Sequence, residues 1–152
     1  MRKSNAEHIA RGAGAVLLAT VFNHFCDRIL GVKIEAFTGG LGYFSPSWVL
    51  DMFLVPFLAG MMVAAIFGFR GKWLSYIPPL IVRSVSYFGF AYHLVPLPSG
   101  TTLMPVGWWG FYLILTLEAA AIGGVIGEVV VKRTYGRSTS KKTVEQARPI
   151  QR

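Results

Sequence analysis

The stretch VLDMFLVPFLAGMMVAAIFGF, from Val49 to Phe69, decides the class of this fold. Only Asp51 in it is ionisable, and only Pro56 interrupts a helical pattern. A helix buried in a soluble domain keeps a polar stripe. One that crosses a hydrocarbon core of ~30 Å must be apolar all round for about 20 residues. The segment is therefore predicted to be a transmembrane helix.

Three further segments have the same character. The first spans about residues 9–30, the third 73–95 and the fourth 107–131, with 49–69 as the second. The expected fold class is an all-α integral membrane protein, an antiparallel helical bundle of four transmembrane helices occupying residues 1–131. Residues 132–152 form a basic, polar tail without apolar periodicity, expected to be disordered. The first segment resembles a signal peptide in its charged start and apolar middle. Asn23-His24-Phe25-Cys26-Asp27-Arg28 follows it without a small-x-small cleavage pattern, so it is expected to be a retained span.

The whole composition agrees, with 53% hydrophobic and 14% charged residues. The formal net charge of +8 could point to a nucleic-acid partner, but its distribution points elsewhere. The basic residues flank the spans or crowd the tail and make no stripe on a folded surface, so no nucleic acid is expected. On one side of the predicted spans lie Arg2, Lys3, Arg11, Arg70, Lys72 and seven residues of the tail. The other side holds only Arg28 and Lys33. Cytoplasmic loops carry the Lys/Arg excess, which predicts both termini inside and a bacterial cytoplasmic (inner) membrane as the location. Trp48, Trp73, Trp108 and Trp109 fall at predicted span ends, where indole rings anchor to the interface.

Small residues that let helix backbones approach are informative in lipid, where apolar burial does not drive association. The second span carries Gly60, Ala64 and Gly68 at four-residue spacing, and the fourth carries Ala119, Gly123 and Gly127. These ridges are expected to pack helices within the chain or between chains.

Ionisable residues at membrane depth cost roughly 2.5–3.5 kcal/mol each, so each needs a partner or a role. Arg83 and Glu118 lie near the middles of adjacent spans, which predicts an intramembrane ion pair between them. The pair would act as a structural clamp, as an anion- or proton-handling site, or through a partner subunit. Tyr76, Arg83, Ser86, Tyr87 and His93 form a polar stripe on the third span. A second cluster gathers at the outer face: His24, Asp27 and Arg28 on one side of the first span, Asn23 a turn before Asp27, then Asp51 and His93. Hydrogen bonding between helix ends, a divalent metal site on His24, His93 and the aspartates, or haem ligation by the two histidines would each use these residue types.

Cys26 stands alone, so no internal disulfide forms. No phosphate loop, HExxH, CxxC or nucleophile elbow occurs, and no catalytic constellation is expected. Three functions fit. The first is a non-catalytic subunit or assembly factor of a larger membrane complex. It would associate with other membrane subunits or with itself, and with anionic lipid or an acidic partner at its tail. The second is a small oligomeric transporter or channel using Arg83 and Glu118. The third is a metal- or haem-handling protein using His24 and His93.

Overall fold

The computed structural model describes residues 2–37, 39, 44–68 and 71–146, with side chains described over 5–37, 39, 44–68 and 71–134. Four helices follow one another: α1 (Arg2–Leu30), α2 (Pro46–Phe67), α3 (Ile77–Ala91) and α4 (Val106–Gln146). Two short strands, β1 (Ala36–Phe37) and β2 (Thr102–Leu103), pair antiparallel, with Ala36 opposite Leu103 and Phe37 opposite Thr102. Three helices are long and apolar enough to cross a membrane: α1 over Asn5–Leu30, α2 over its whole length, and α4 over Val106–Thr134.

The α2 helix begins where Ser45 accepts a hydrogen bond from the Trp48 N–H and Pro46 occupies the first turn, where an N–H would go unused. Leu50–Leu54 then widens into a π turn in which the Val55 N–H donates to the Leu50 carbonyl. Pro56 explains this widening, because it lacks an N–H and its ring would crowd the Met52 carbonyl in a regular α turn. Asp51 lies inside the widened turn and is fully buried.

The expected third span is shortened. α3 has 15 residues, or about 22 Å at 1.5 Å per residue, less than the core of a bilayer. Pro78 and Pro79 are the cause, since they are tolerated only at the start of a helix. The chain ahead of them is a 3-10 turn at Gly71–Trp73, and its next N–H groups close tight turns, Leu74 to Gly71 and Ile77 to Leu74.

α2 packs most extensively against α4, and the small residues explain how. A Cβ added at Gly60 would collide with the Ala120 carbonyl, and one at Gly123 with the Phe57 carbonyl. A Cβ at Gly127 would come within 2.9 Å of the Ala64 side chain. Ala119 is buried on the same side of α4. Gly68 plays another part. It ends α2 with φ +88° and no atom near its absent Cβ, so it is a helix stop and not a packing residue.

α1 lies on the other side of α2. Gly12 faces the Phe67 and Leu74 side chains, and the Arg11 Nε–H donates to the Ile66 carbonyl at 2.6 Å. One apolar cluster joins Ala15 and Ala19 of α1 to Ala59 and Val63 of α2. A second cluster lies at the other end, where Ile34 and Met104 from the connections pack on Trp48, Met52 and Tyr112.

The backbone of the expected tail is helical through Gln146, and no proline occurs before Pro149. Residues 147–152 lie outside the described residues.

Candidate functional site

α3 carries a buried cation, Arg83, enclosed by its neighbours. Arg83 is 2% exposed, and its guanidinium meets carboxylates from three separate segments. Nη1 lies 2.9 Å from Asp27 Oδ1 of α1 and 3.5 Å from Glu35 Oε1 of the connection before β1. Nη2 donates to Asp51 Oδ2 at 2.7 Å and also lies 3.3 Å from the Asp51 carbonyl. The Asp27 contact is an ion pair in distance, but its oxygen sits off the N–H direction and accepts no hydrogen bond.

Local structure explains why these groups meet. Asp27 lies in the last turn of α1 and Asp51 in the π turn of α2, so both helices present a carboxylate near the same end. Glu35 arrives by a different route. The Met104 N–H donates to its carbonyl at 2.9 Å, in line with the β1–β2 pairing, and this holds the first connection down onto the helices. The Tyr87 hydroxyl, one turn beyond Arg83, donates to the Met104 carbonyl at 3.2 Å. Tyr87 also stacks on Trp109 at 4.4 Å between ring centres. The cap over the cluster is thus fastened from both sides.

The cluster is closed and over-supplied with acid. Glu35 and Asp51 are fully buried, and Asn23, one turn before Asp27 on the same face of α1, is 1% exposed. Burial pushes the Glu35 carboxyl up from its ordinary range, and the attraction of Arg83 offsets only part of that. Glu35 Oε2, Asp51 Oδ1, Arg83 Nε and both polar atoms of the Asn23 amide are buried without a hydrogen-bond partner. Buried polar groups are nearly always paired, so this concentration of orphans marks a site.

The expected Arg83–Glu118 pair does not form. α4 turns Ala119, Ala120, Gly123 and Gly127 toward α2, and this rotation carries Glu118 to the outside. There it sits exposed in a shallow apolar groove with Phe53, Leu54, Phe57, Leu115 and Ile122. Among the described residues it has no hydrogen-bond or ion-pair partner.

The expected polar stripe of α3 divides. Arg83 and Tyr87 point inward, while Tyr76 and Ser86 are half-buried. His93 lies beyond the helix, exposed, with φ +56° as the left-handed residue that ends it.

The expected outer cluster divides as well. Asp27 and Asp51 converge on Arg83, whereas His24, Arg28 and His93 are exposed and do not join them. Among the described residues, no group of three or more His, Cys, Asp or Glu has a metal-binding arrangement. Glu35 was not anticipated. A signal for it exists in the sequence, because Asp27, Glu35 and Asp51 stand close to the outer span ends, where only Arg28 and Lys33 supply charge of the opposite sign.

No family model, curated protein or solved structure matches this chain.

Proposed function

We propose that this chain is a non-catalytic subunit or assembly factor of a larger complex in the cytoplasmic membrane, and that its α2–α4 face receives a transmembrane helix of a different protein. The observation that carries this reading is Glu118, exposed in an apolar groove between α2 and α4. An acidic side chain left against lipid at this depth would cost roughly 2.5–3.5 kcal/mol on insertion scales. A partner helix with a Lys, Arg or other hydrogen-bond donor opposite Glu118 removes that cost. A second copy of this chain suits the groove less well, since a two-fold contact there would bring two Glu118 carboxylates together.

The same reading places four crossings in the membrane with both termini cytoplasmic. The Lys/Arg asymmetry supports this, and so does the matched direction of α2 and α4, where Phe57 and Met61 lie against Gly123 and Gly127. Such a pair requires the chain between them to return, a role that falls to Gly71–Ala91. The basic stretch from Lys132 onward then faces the anionic inner leaflet. The transporter reading has less support, because a path through Arg83 must open a cluster whose charged side chains are at most 3% exposed.

Photo-crosslinking from position 122, beside Glu118, tests the proposal in native membranes. The expected product is a membrane protein whose crosslinked helix carries a cation or donor. Its yield should fall about fivefold in Glu118→Gln, the scale of an interhelical hydrogen bond of ~1 kcal/mol in lipid. Crosslinks to lipid alone, or to a second copy of the chain, refute it.

A further inference from the structure

We propose that the cleft between the turn at residues 71–76 and α4 binds one anionic glycerophospholipid, with its phosphate at the Lys72 ammonium and the start of an acyl chain against Ala121 and Val125. The inference rests on the four-crossing placement of the chain and does not depend on the partner proposed for the Glu118 groove.

The break at Pro78 and Pro79 creates the cleft. α3 starts only at Ile77, so the turn ahead of it, and not a helix, faces α4 across the gap. This space of ≈ 200 Å³ is lined by Lys72, Trp73, Tyr76, Ala121 and Val125. Pockets for small molecules run to ~300–1,000 Å³, so the cleft fits a length of chain and not an enclosed ligand. Its height is set by the neighbouring helices. Gly71 packs against Ala64, one turn from the end of α2, and the Lys72 N–H bonds Glu128, one turn before Lys132. The cleft therefore opens where α2 ends and the basic stretch of α4 begins, which is the cytoplasmic interface when both termini are inside.

The lining answers the parts of a phospholipid in turn. Lys72 is exposed, its Nζ lies 5.6 Å from the centre of the Trp73 ring, and among the described residues it has no carboxylate partner. Cation–π attraction holds the ammonium over the indole and leaves its N–H groups to a phosphate. Glu128, the acid that touches the turn, accepts the Lys72 backbone N–H, is 8% exposed and does not line the cleft. Trp73 is 67% exposed and Tyr76 half-buried, and the polar tips of such rings sit at headgroup level. Ala121 and Val125 add an apolar wall. A free phosphate ion would use only the Lys72 end, whereas a lipid uses both ends. A zwitterionic headgroup brings an ammonium of its own beside Lys72, so the charge favours an anionic one.

Trp48, Trp108 and Trp109 stand at the starts of α2 and α4, away from this cleft, so the fluorescence difference between the native chain and Trp73→Phe isolates the Trp73 signal. Its quenching is measured in mixed micelles carrying brominated-chain phosphatidylglycerol or phosphatidylcholine at fixed ionic strength. Half-quenching is expected at about fivefold less phosphatidylglycerol, the scale of one Lys beside anionic lipid. Lys72→Gln should abolish this preference and Lys72→Arg should keep it. Removal of two tail charges, Arg133→Gln with Arg137→Gln, should leave it in place. Equal quenching by the two lipids overturns the proposal, as does a preference that survives Lys72→Gln, one that vanishes with the tail charges, or displacement of the lipid by inorganic phosphate. The native comparison decides the matter if a variant does not fold. Micelles have no cytoplasmic side, so a different topology would not abolish the preference, and the two failures stay distinct.

Discussion

Replacement of Arg83 by methionine removes the only cation from a cluster of three buried carboxylates while filling a similar volume. Loss of one partner from a buried pair destabilises by about 3–5 kcal/mol, because the remaining charge stays buried and unpaired. The chain has one escape, which is to protonate the carboxyls. For a group with an ordinary pKa near 4, this costs about 1.4 kcal/mol per pH unit, or about 4 kcal/mol at pH 7. Arg83 compensates one negative charge, so one added proton replaces it; the two routes are then close in size at neutral pH, and the expected loss for Arg83→Met at pH 7 is about 4 kcal/mol.

They separate as pH falls. Without Arg83 nothing offsets the burial that raises the Glu35 carboxyl, and the folded variant then binds more protons than the unfolded chain. Stability must decrease with rising pH across that window and recover on acidification. At pH 5 the protonation cost is about 1.4 kcal/mol per carboxyl, so most of the loss should disappear. Denaturant titration in detergent micelles, followed by far-UV circular dichroism, measures both quantities. Glu118→Ala in the isolated chain is the control, with no partner to lose among the described residues. A loss below about 1 kcal/mol at pH 7, or one of equal size at pH 5 and 7, would show that the carboxylates do not depend on Arg83.

Two other outcomes follow from the same contacts. Glu35 has a raised folded-state pKa, so its contribution is fully present below the unfolded value near 4.5 and is lost as pH rises through the folded value. Hydrogen exchange at the Met104 amide should therefore quicken with pH beyond its intrinsic rate, and Glu35→Gln should remove that excess. On α4, Gly123→Ala forces a methyl group against the Phe57 carbonyl and should destabilise by ~1–3 kcal/mol, whereas Gly110→Ala, with open space around it, should be neutral or slightly stabilising in the same thermal assay.

The long apolar helices and the close approach at the glycine ridges were legible because both depend on local pattern, although which helices meet was left open. Uniform apolarity marks a span, and glycine at four-residue spacing marks a close approach. Asp27 and Asp51 were legible as neighbours because helix ends bring them near one interface. The partner of Arg83 was misassigned because the choice rested on depth alone. Depth does not fix rotation about the helix axis, and the Ala119, Gly123 and Gly127 ridge already implied that Glu118 lies off the buried face of α4. Glu35 was missed for a different reason. It lies in an aperiodic connection, and only the pairing of Ala36 and Phe37 with residues 102–103, more than sixty positions later, carries it inward.

The shortness of α3 explains where the charge cluster sits. Arg83 lies only six residues past Ile77, about 9 Å along the helix. Yet it meets Asp27, three residues from the end of α1, and Asp51, five residues from the start of α2. Arg83 therefore stands near the ends of its neighbours and not at their middles, and α3 is displaced toward that end. The opposite half of the return path is occupied by the 3-10 turn. A Cβ at Gly71 would lie 2.8 Å from the Ala64 Cα, and Ser75 Oγ is 3.2 Å from the Gly60 carbonyl, so the turn is wedged against α2. Glu128 of α4 accepts the Lys72 N–H at 3.1 Å and satisfies a backbone group that a continuous helix would have paired internally. Pro78 and Pro79 thus have consequences at two levels. They break the helix where a side chain of α4 can satisfy the freed backbone, and they set the height at which its one cation meets three acids. A continuous helix through the same residues would rise 1.5 Å per residue in place of about 2 Å through the 3-10 turn, and would turn by a different angle. Arg83 would then miss the carboxylates in height and direction, so the proline break is a condition for the cluster to form.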